Sequence, residues 1–392
     1  MRARRGIVVA GVLVVVIAGC DAARTPEPTR TMTTTASPPT TGSPVAGPVT
    51  FSVAAVDRFD EPWAMAFLPD TGELLVAERD GALHLRNQNT GERDAVSGVP
   101  EVVYAGQGGL GDIVPGPTFA ADDIVYLSWV EAGSGGTGAA VGRARLERST
   151  DAAALRDLEV IWRQVPKEKG SGHFGHRIAF SPDGTELFIT SGDRQLQGPA
   201  QDRSNTLGAI VRLTLDGEPD PQNLWTFEGE VSAEIFSYGH RNPLGIAFAP
   251  DGRLWESEMG PLGGDELNLI GSGGNYGWPL ASNGSQYDGS GIPDHRPSDG
   301  FVSPAVSWNP SISPGSLMIY HGDLFPEWTG DAFLGALSGT ALVRVDLDGA
   351  EAGEVEVWPM DARIRAVAED ADGVIWLLED AGAGRLLRLA PD

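Results

Sequence analysis

Residues 177–194 read RIAFSPDGTELFITSGDR, an apolar strand, an Asp183-Gly184 turn and a second apolar strand. Asp-Gly between alternating apolar runs is a strong hairpin signal, because glycine accepts the positive φ that such turns need. The pattern recurs in WAMAFLPDTGELLVAERD (63–80), LGIAFAPDGRLWESE (244–258) and AVAEDADGVIWLLE (366–379), with a weaker copy lacking the Asp-Gly turn from Leu110 to Trp129. The turn aspartates Asp70, Asp183, Asp251 and Asp372 are separated by 113, 68 and 121 residues. Each long gap holds two units of roughly 57 to 60 residues, so the body contains about six units of a repeated sheet motif. Stretches 208–217 (GAIVRLTLDG) and 340–349 (TALVRVDLDG) read as further strands of these units. The expected fold is all-β, a six-bladed β-propeller. A large β-sandwich is the competing architecture, and the shared Ala-Phe-x-Pro-Asp phrase weighs against it.

Composition agrees with this reading. The 392 residues include 52 glycines and 28 prolines, a density that weakens helix interiors and suits turns. The balance of 28 basic against 54 acidic residues gives a formal charge of −26, which repels phosphate backbones and argues against nucleic acid as a partner. A single cysteine, Cys20, excludes an internal disulfide and any cysteine-built zinc or iron–sulfur site.

The N-terminus carries its own signals. Arg2, Arg4 and Arg5 precede an apolar run from Ile7 to Ile17, too short to span a bilayer, and Ala18-Gly19-Cys20 follows. This resembles a bacterial lipobox, so residues 1–19 are expected to be a lipoprotein signal peptide and Cys20 the lipidated residue. An ordinary signal peptide is the alternative. Residues 20–48, rich in Thr, Pro, Ser and Ala, form the lipidated Cys and a disordered tether, and the propeller domain occupies residues 49–392. The expected location is the outer face of the cell membrane, with membrane contact only through the lipid.

No HExxH helix, GKS/T phosphate loop or GxSxG elbow occurs. Gly133 to Gly138 satisfies GxGxxG, but the following AAVGRARLE alternates like a strand, so this segment reads as a hairpin loop and not a nicotinamide site. Four polar stretches remain. In 170–177 (GSGHFGHR), His173 lies in a glycine-rich loop at a strand start, as a general base or as a structural histidine, with His176 in support. In 237–243 (SYGHRNP), Arg241 and Asn242 fall between two apolar strands, where an arginine facing the channel could polarise an oxygen. It could also be a surface arginine on a turn. In 256–268 (ESEMGPLGGDELN), a Gly-Pro turn flanked by acids offers calcium both carboxylates and carbonyls, or is a solvated acidic loop. Finally, Arg363 and Arg365 at i, i+2 point to one face and suggest a bound polyanion.

Together the GHRNP phrase, the SExGPxGGDELNLI…NYGWP phrase and the RIR pair resemble the soluble quinoprotein aldose dehydrogenases, the glucose/sorbosone dehydrogenase-like family. The resemblance runs from about Trp63 to the last repeat. It implies a six-bladed propeller that oxidises aldoses at C1 to lactones with pyrroloquinoline quinone (PQQ) and Ca²⁺, handing electrons to an external acceptor. It further implies His173 as the general base, Gln107 beside the sugar, and Arg241 and Asn242 on the quinone oxygens. The carbonyls of Gly260 and Pro261 would hold the calcium that bridges to PQQ. Arg363 and Arg365 would take the cofactor's carboxylates, Ser311 would replace a cofactor-binding threonine, and Glu266 and Tyr276 would hold a second calcium. Ser338 stands where glucose-oxidising relatives carry a lysine, Gly172 where they carry an acid, and Met259 where a polar or histidine side chain is common. The competing expectation is a non-catalytic propeller that binds a surface glycan or protein.

Overall fold

The computed structural model describes residues 31–33, 49–149 and 152–392. The apolar N-terminal run, Cys20 and nearly all of the proposed tether lie outside the described residues. Among the described residues, strands make up 50% and helix 4%. Among the described residues no helix is long and apolar enough to cross a membrane.

Three sheets are four-stranded antiparallel meanders. They start at Gly175–Phe180, Pro243–Phe248 and Pro314–Ile319 and end at Ile235–Tyr238, Val306–Trp308 and Glu351–Pro359. An eight-stranded sheet is two such meanders, Pro62–Leu68 to Arg93–Ser97 and Leu110–Pro115 to Ala152–Arg163. They are joined by a short parallel pairing of Val96 and Ser97 with Ala153 and Ala154. In the last sheet, Ile364–Glu369, Ile375–Glu379 and Gly384–Pro391 are joined by Thr50–Phe59 from the start of the body, with Val53 opposite Leu389, and Thr31–Thr33, from the stretch expected to be a tether, adds a short fifth strand beside Thr50–Phe59. Pairing the two ends of the chain in one sheet leaves no free seam. The first strand of each meander packs against the first strand of the next, and Ile364–Glu369 packs back onto Pro62–Leu68, so the six strands close a ring.

The repeated phrases are the first hairpins of these meanders. At the turn of the 177–194 copy, Gly184 has φ 69°, and Asp183 Oδ1 accepts from Thr185 N at 3.1 Å and Ser181 Oγ at 2.6 Å. The aspartate side chain thus replaces ladder partners that the turn lacks. The weaker copy is also a hairpin, with helix Phe119–Asp122 inserted where the others turn on Asp-Gly. The segment Gly133 to Gly138 joins the antiparallel strands Ile124–Gly133 and Gly136–Ser149, as expected for a hairpin loop.

Apolar side chains fill the spaces between neighbouring meanders. One cluster gathers Trp63, Leu75, Leu127, Trp129 and Leu146; another stacks Phe51, Trp328, Phe333 and Trp358. On the axis of the ring the packing is polar. Buried Arg177 donates to Leu244 O at 2.8 Å, Gly315 O at 2.7 Å and Asp112 Oδ1 at 3.1 Å, and its Cζ lies 3.8 Å from the Trp63 ring centre. One guanidinium therefore hydrogen-bonds its own first strand to three others, each of its nitrogens with an acceptor, as a buried cation requires. His176 stacks on the same Trp63 ring, at 5.0 Å between ring centres.

Candidate active site

Above the Arg177 plug lies a cavity of about 300 Å³, lined among others by Gln107, His176, Asn242, Arg363, Arg365 and Asp380. Gln107, Asn242 and the arginine pair, predicted from widely separated phrases, therefore share one chamber. His173, Arg241 and Ser311 do not line it. The first two lie directly behind its wall, next to Phe174 and Asn242, which do.

His173 sits in the loop before Gly175–Phe180 with φ 50°, a left-handed conformation uncommon for a non-glycine residue. Such backbone costs of order 1–3 kcal/mol and persists only where the surroundings impose it. Here they do. Gln107 Oε1 accepts from His173 N at 2.6 Å. Arg194, fully buried, donates to Gly172 O at 2.9 Å and Gly170 O at 2.8 Å, with its Cζ 3.9 Å from the Phe174 ring centre.

The imidazole is equally constrained. Its Nδ1 lies 2.7 Å from Asp193 Oδ1, so the carboxylate selects the Nδ1–H tautomer and leaves the lone pair on Nε2. Asp193 is wholly buried and has further donors in Gln195 N at 2.8 Å and Trp278 Nε1 at 2.8 Å. Burial works against its charge, but the bonds from His173 and Trp278 outweigh this and hold its pKa below the usual value. Burial, with the positive charges of Arg241 and Arg194, lowers the pKa of His173 against the pull of Asp193. The histidine is thus neutral near pH 7, oriented and able to accept a proton at Nε2, as a general base must be.

Arg241 and Asn242 form the turn before Pro243–Phe248 and are anchored by Glu258, whose Oε2 accepts from Arg241 N at 2.5 Å and Asn242 N at 3.3 Å. Arg241 is buried, which excludes a simple surface arginine. Its Nη1 donates to the carbonyls of Met259 and Gly260, each at 2.8 Å, and its Nη2 to Tyr287 Oη at 3.0 Å. Arg241 Nε and both amide atoms of Asn242 are buried without a partner. Leaving such groups unmade costs about 1–3 kcal/mol each, and their clustering marks the place of a bound polar molecule.

The Gly260-Pro261 turn is held from behind. Asp265, inaccessible to solvent, accepts from Gly260 N at 2.8 Å, Ser311 Oγ at 2.6 Å, Ile312 N at 2.7 Å and Ser313 N at 2.6 Å. Ser311 therefore spends its hydroxyl proton on Asp265, and the serine that lines the cavity is Ser313, bonded to Ser338 Oγ at 2.8 Å. Opposite, Arg363 and Arg365 converge on Asp380, at 2.8 Å for Arg363 Nε and 2.9 Å for Arg365 Nη2. Against its burial, the two guanidiniums keep the Asp380 pKa below the usual range. One carboxylate for two cations leaves a net positive wall.

The acidic run is not a solvated loop. Glu256, Glu258 and Glu266 are buried with Asn268, whose Nδ2 lies 3.1 Å from Glu256, 3.4 Å from Glu258 and 3.2 Å from Glu266. Burial and the charge of Glu258 push the pKa of Glu256 far up, and Glu266 rises for the same reasons. Ligand atoms of His240, Glu256 and Glu258 lie within 4.8 Å of one another. Tyr276 stacks on His240 at 4.6 Å, but its hydroxyl donates to Leu269 O and accepts from Gly271 N and is thus committed to the backbone. Asp193 and Trp278 stand outside every role expected from the sequence, and Asp265 and Glu258, the acids flanking the Gly-Pro turn, brace backbone N–H groups.

Residues 59–388 match the family model described as Glucose / Sorbosone dehydrogenase. The chain belongs to this family. It is 39% identical over 354 residues to the aldose sugar dehydrogenase YliI of Escherichia coli, covering 88% of this chain and 94% of that protein. The crystal structure of the soluble aldose sugar dehydrogenase from Escherichia coli in the apo-form superposes with a TM-score of 0.82 at 38% identity, covering 87% of this chain and all of that one. The PQQ-bound aldose sugar dehydrogenase from Streptomyces coelicolor superposes at 0.73 with 30% identity, covering 88% of this chain and 100% of that one. This family member is therefore an oxidoreductase with a propeller-like fold.

Proposed function

We propose that the chain is a six-bladed propeller that oxidises aldoses at C1 to lactones, with PQQ and Ca²⁺ bound in the chamber and an external acceptor taking the electrons. The observation that carries this reading is the chamber itself. Its wall carries Arg363, Arg365 and the unpartnered amide of Asn242, and behind that wall lie the unpartnered Arg241 Nε and a neutral, aspartate-oriented histidine. A protein that only binds a glycan gains nothing from a tuned base and a polyanion cradle. The ring of first strands, closed by the two chain ends, supports the blade count.

The residues present fit PQQ, a flat o-quinone bearing carboxylates. The free donors of Arg241 and Asn242 suit quinone oxygens, Arg363 and Arg365 suit carboxylates, and the carbonyls of Gly260 and Pro261 suit calcium, a hard cation. A carbonyl oxygen has two lone pairs, so Gly260 can keep its bond from Arg241 while meeting a cation. When bound, PQQ supplies a two-electron acceptor for hydride. The chain's part is to orient the sugar with Gln107 and to take the anomeric hydroxyl proton on His173 Nε2. The resulting imidazolium is stabilised by Asp193. Residual negative charge among Glu256, Glu258 and Glu266 suits a second calcium, with Glu266 as one ligand. Export and lipid attachment at Cys20 complete the proposal.

Calorimetric titration of the chain with PQQ tests the cofactor assignment. Binding should tighten at least tenfold with Ca²⁺. Arg363→Ala should weaken it about 10- to 100-fold, the worth of one charge-assisted hydrogen bond, while leaving the Arg365–Asp380 pair intact. Equal affinity in this variant would remove Arg363 from the cradle.

A further inference from the structure

We propose that Trp278 is a positioning residue for the reaction: it fixes Asp193, sets how strongly that carboxylate holds a proton on His173, and braces Arg241 with its ring. This rests on His173 acting as the base. An indole N–H has one hydrogen and no lone pair, so when buried it must be committed to a single acceptor. Trp278 is 5% exposed and commits its Nε1–H to Asp193 Oδ2 at 2.8 Å, while Asp193 Oδ1 takes the Nδ1–H of His173 at 2.7 Å. The three side chains form one line of hydrogen bonds ending at the free Nε2. The same indole lies with its ring centre 5.3 Å from Arg241 Cζ, within reach of a cation–π attraction. Base and cofactor-side arginine therefore lean on one ring.

That ring is held firmly. Trp278 N donates to Gly239 O at 2.9 Å, its carbonyl accepts from Gln201 Nε2 at 2.7 Å, and it packs with Ala200 and Ile292. A hydrogen bond to an ionised carboxylate spreads its charge and lowers its basicity. Without the indole donor, Asp193 Oδ2 keeps only Gln197 N at 3.2 Å. The carboxylate then pulls harder on the imidazolium form of His173. The charged groups facing His173 are Asp193, Arg194 and Arg241; both arginines oppose protonation and remain in a Trp278 variant.

The test is Trp278→Phe, which keeps a ring and removes the donor. Histidine NMR of the chain without cofactor should show His173 binding its proton three- to tenfold more tightly, a rise of about half to one pKa unit. In the PQQ- and calcium-loaded enzyme the acid limb of kcat/KM should move up by the same amount, with the sugar KM at the plateau within about twofold. An unchanged His173 titration in a folded variant overturns the proposal. If Trp278→Phe does not fold, the unmodified chain decides: one indole ¹H–¹⁵N signal should titrate with His173 and stop doing so in His173→Ala. No such signal overturns it. A His173 shift without sugar turnover in any form would instead leave the hydrogen-bonded line standing and remove the catalytic reading.

Discussion

Replacing His173 by alanine will lower turnover about 10²- to 10⁴-fold and leave the fold in place. The size follows from the task, since a positioned base contributes that much and the one histidine that lines the chamber, His176, is too weak a base to take over. His176 cannot substitute. It is stacked on Trp63, its Nδ1 is bonded to Ser128 Oγ at 2.8 Å, and burial with the charge of Arg177 drives its pKa down to about 3. The fold should survive because His173 lies in a loop outside the main apolar clusters, and the left-handed backbone at that position is held by Gln107 and Arg194. The variant should still bind PQQ, which separates loss of the base from loss of the site. Steady-state dye reduction decides it, and near-normal turnover would remove His173 from its role. Because burial lowers the His173 pKa, the acid limb of the parent enzyme should fall below the ordinary histidine value of 6.5, with rate lost as pH falls through it.

The second large effect is expected at Asp265. Asp265→Ala should cost about 3–5 kcal/mol, because one buried backbone N–H group, of Gly260, and two half-buried ones, of Ile312 and Ser313, lose their acceptor together. Thermal unfolding should drop by roughly 5–10 °C. The same change frees the Gly260-Pro261 turn from the Ser311–Ser313 turn, so calcium-dependent PQQ affinity should fall as well. Asp265→Asn, which keeps one acceptor oxygen, should fall between. A melting temperature within about 1 °C of the parent would show that the two turns hold themselves.

The fold was readable where a turn is written in local chemistry. The Asp-Gly hairpins announce themselves because a short polar side chain and a positive-φ residue must stand at fixed places between apolar runs. The hairpin built from Pro314–Ile319 and Ala332–Ala336 escaped, because a longer connection with a 3-10 turn at Pro326–Trp328 replaces that signal. The chamber was readable only as phrases. Gln107, Asn242 and Arg363 each sit in a conspicuous polar stretch, yet their convergence depends on the ring. What no local pattern carries is the support. Asp193 meets Trp278 across 85 residues and Asp265 meets Ser311 across 46, pairings fixed by the order of the meanders. The run Glu256 to Glu266 left a solvated loop and a cation site equally open, and burial in the second and third strands of one meander removes the solvated loop.

Reconstitution separates a sugar dehydrogenase from a binding protein. The chain is loaded with PQQ and Ca²⁺ and dye reduction is followed with a panel of aldoses, each addition also being omitted in turn. Turnover should need PQQ, calcium and sugar together and yield the lactone. Saturated PQQ with no turnover on any aldose, or turnover that persists without PQQ, would contradict the proposed function.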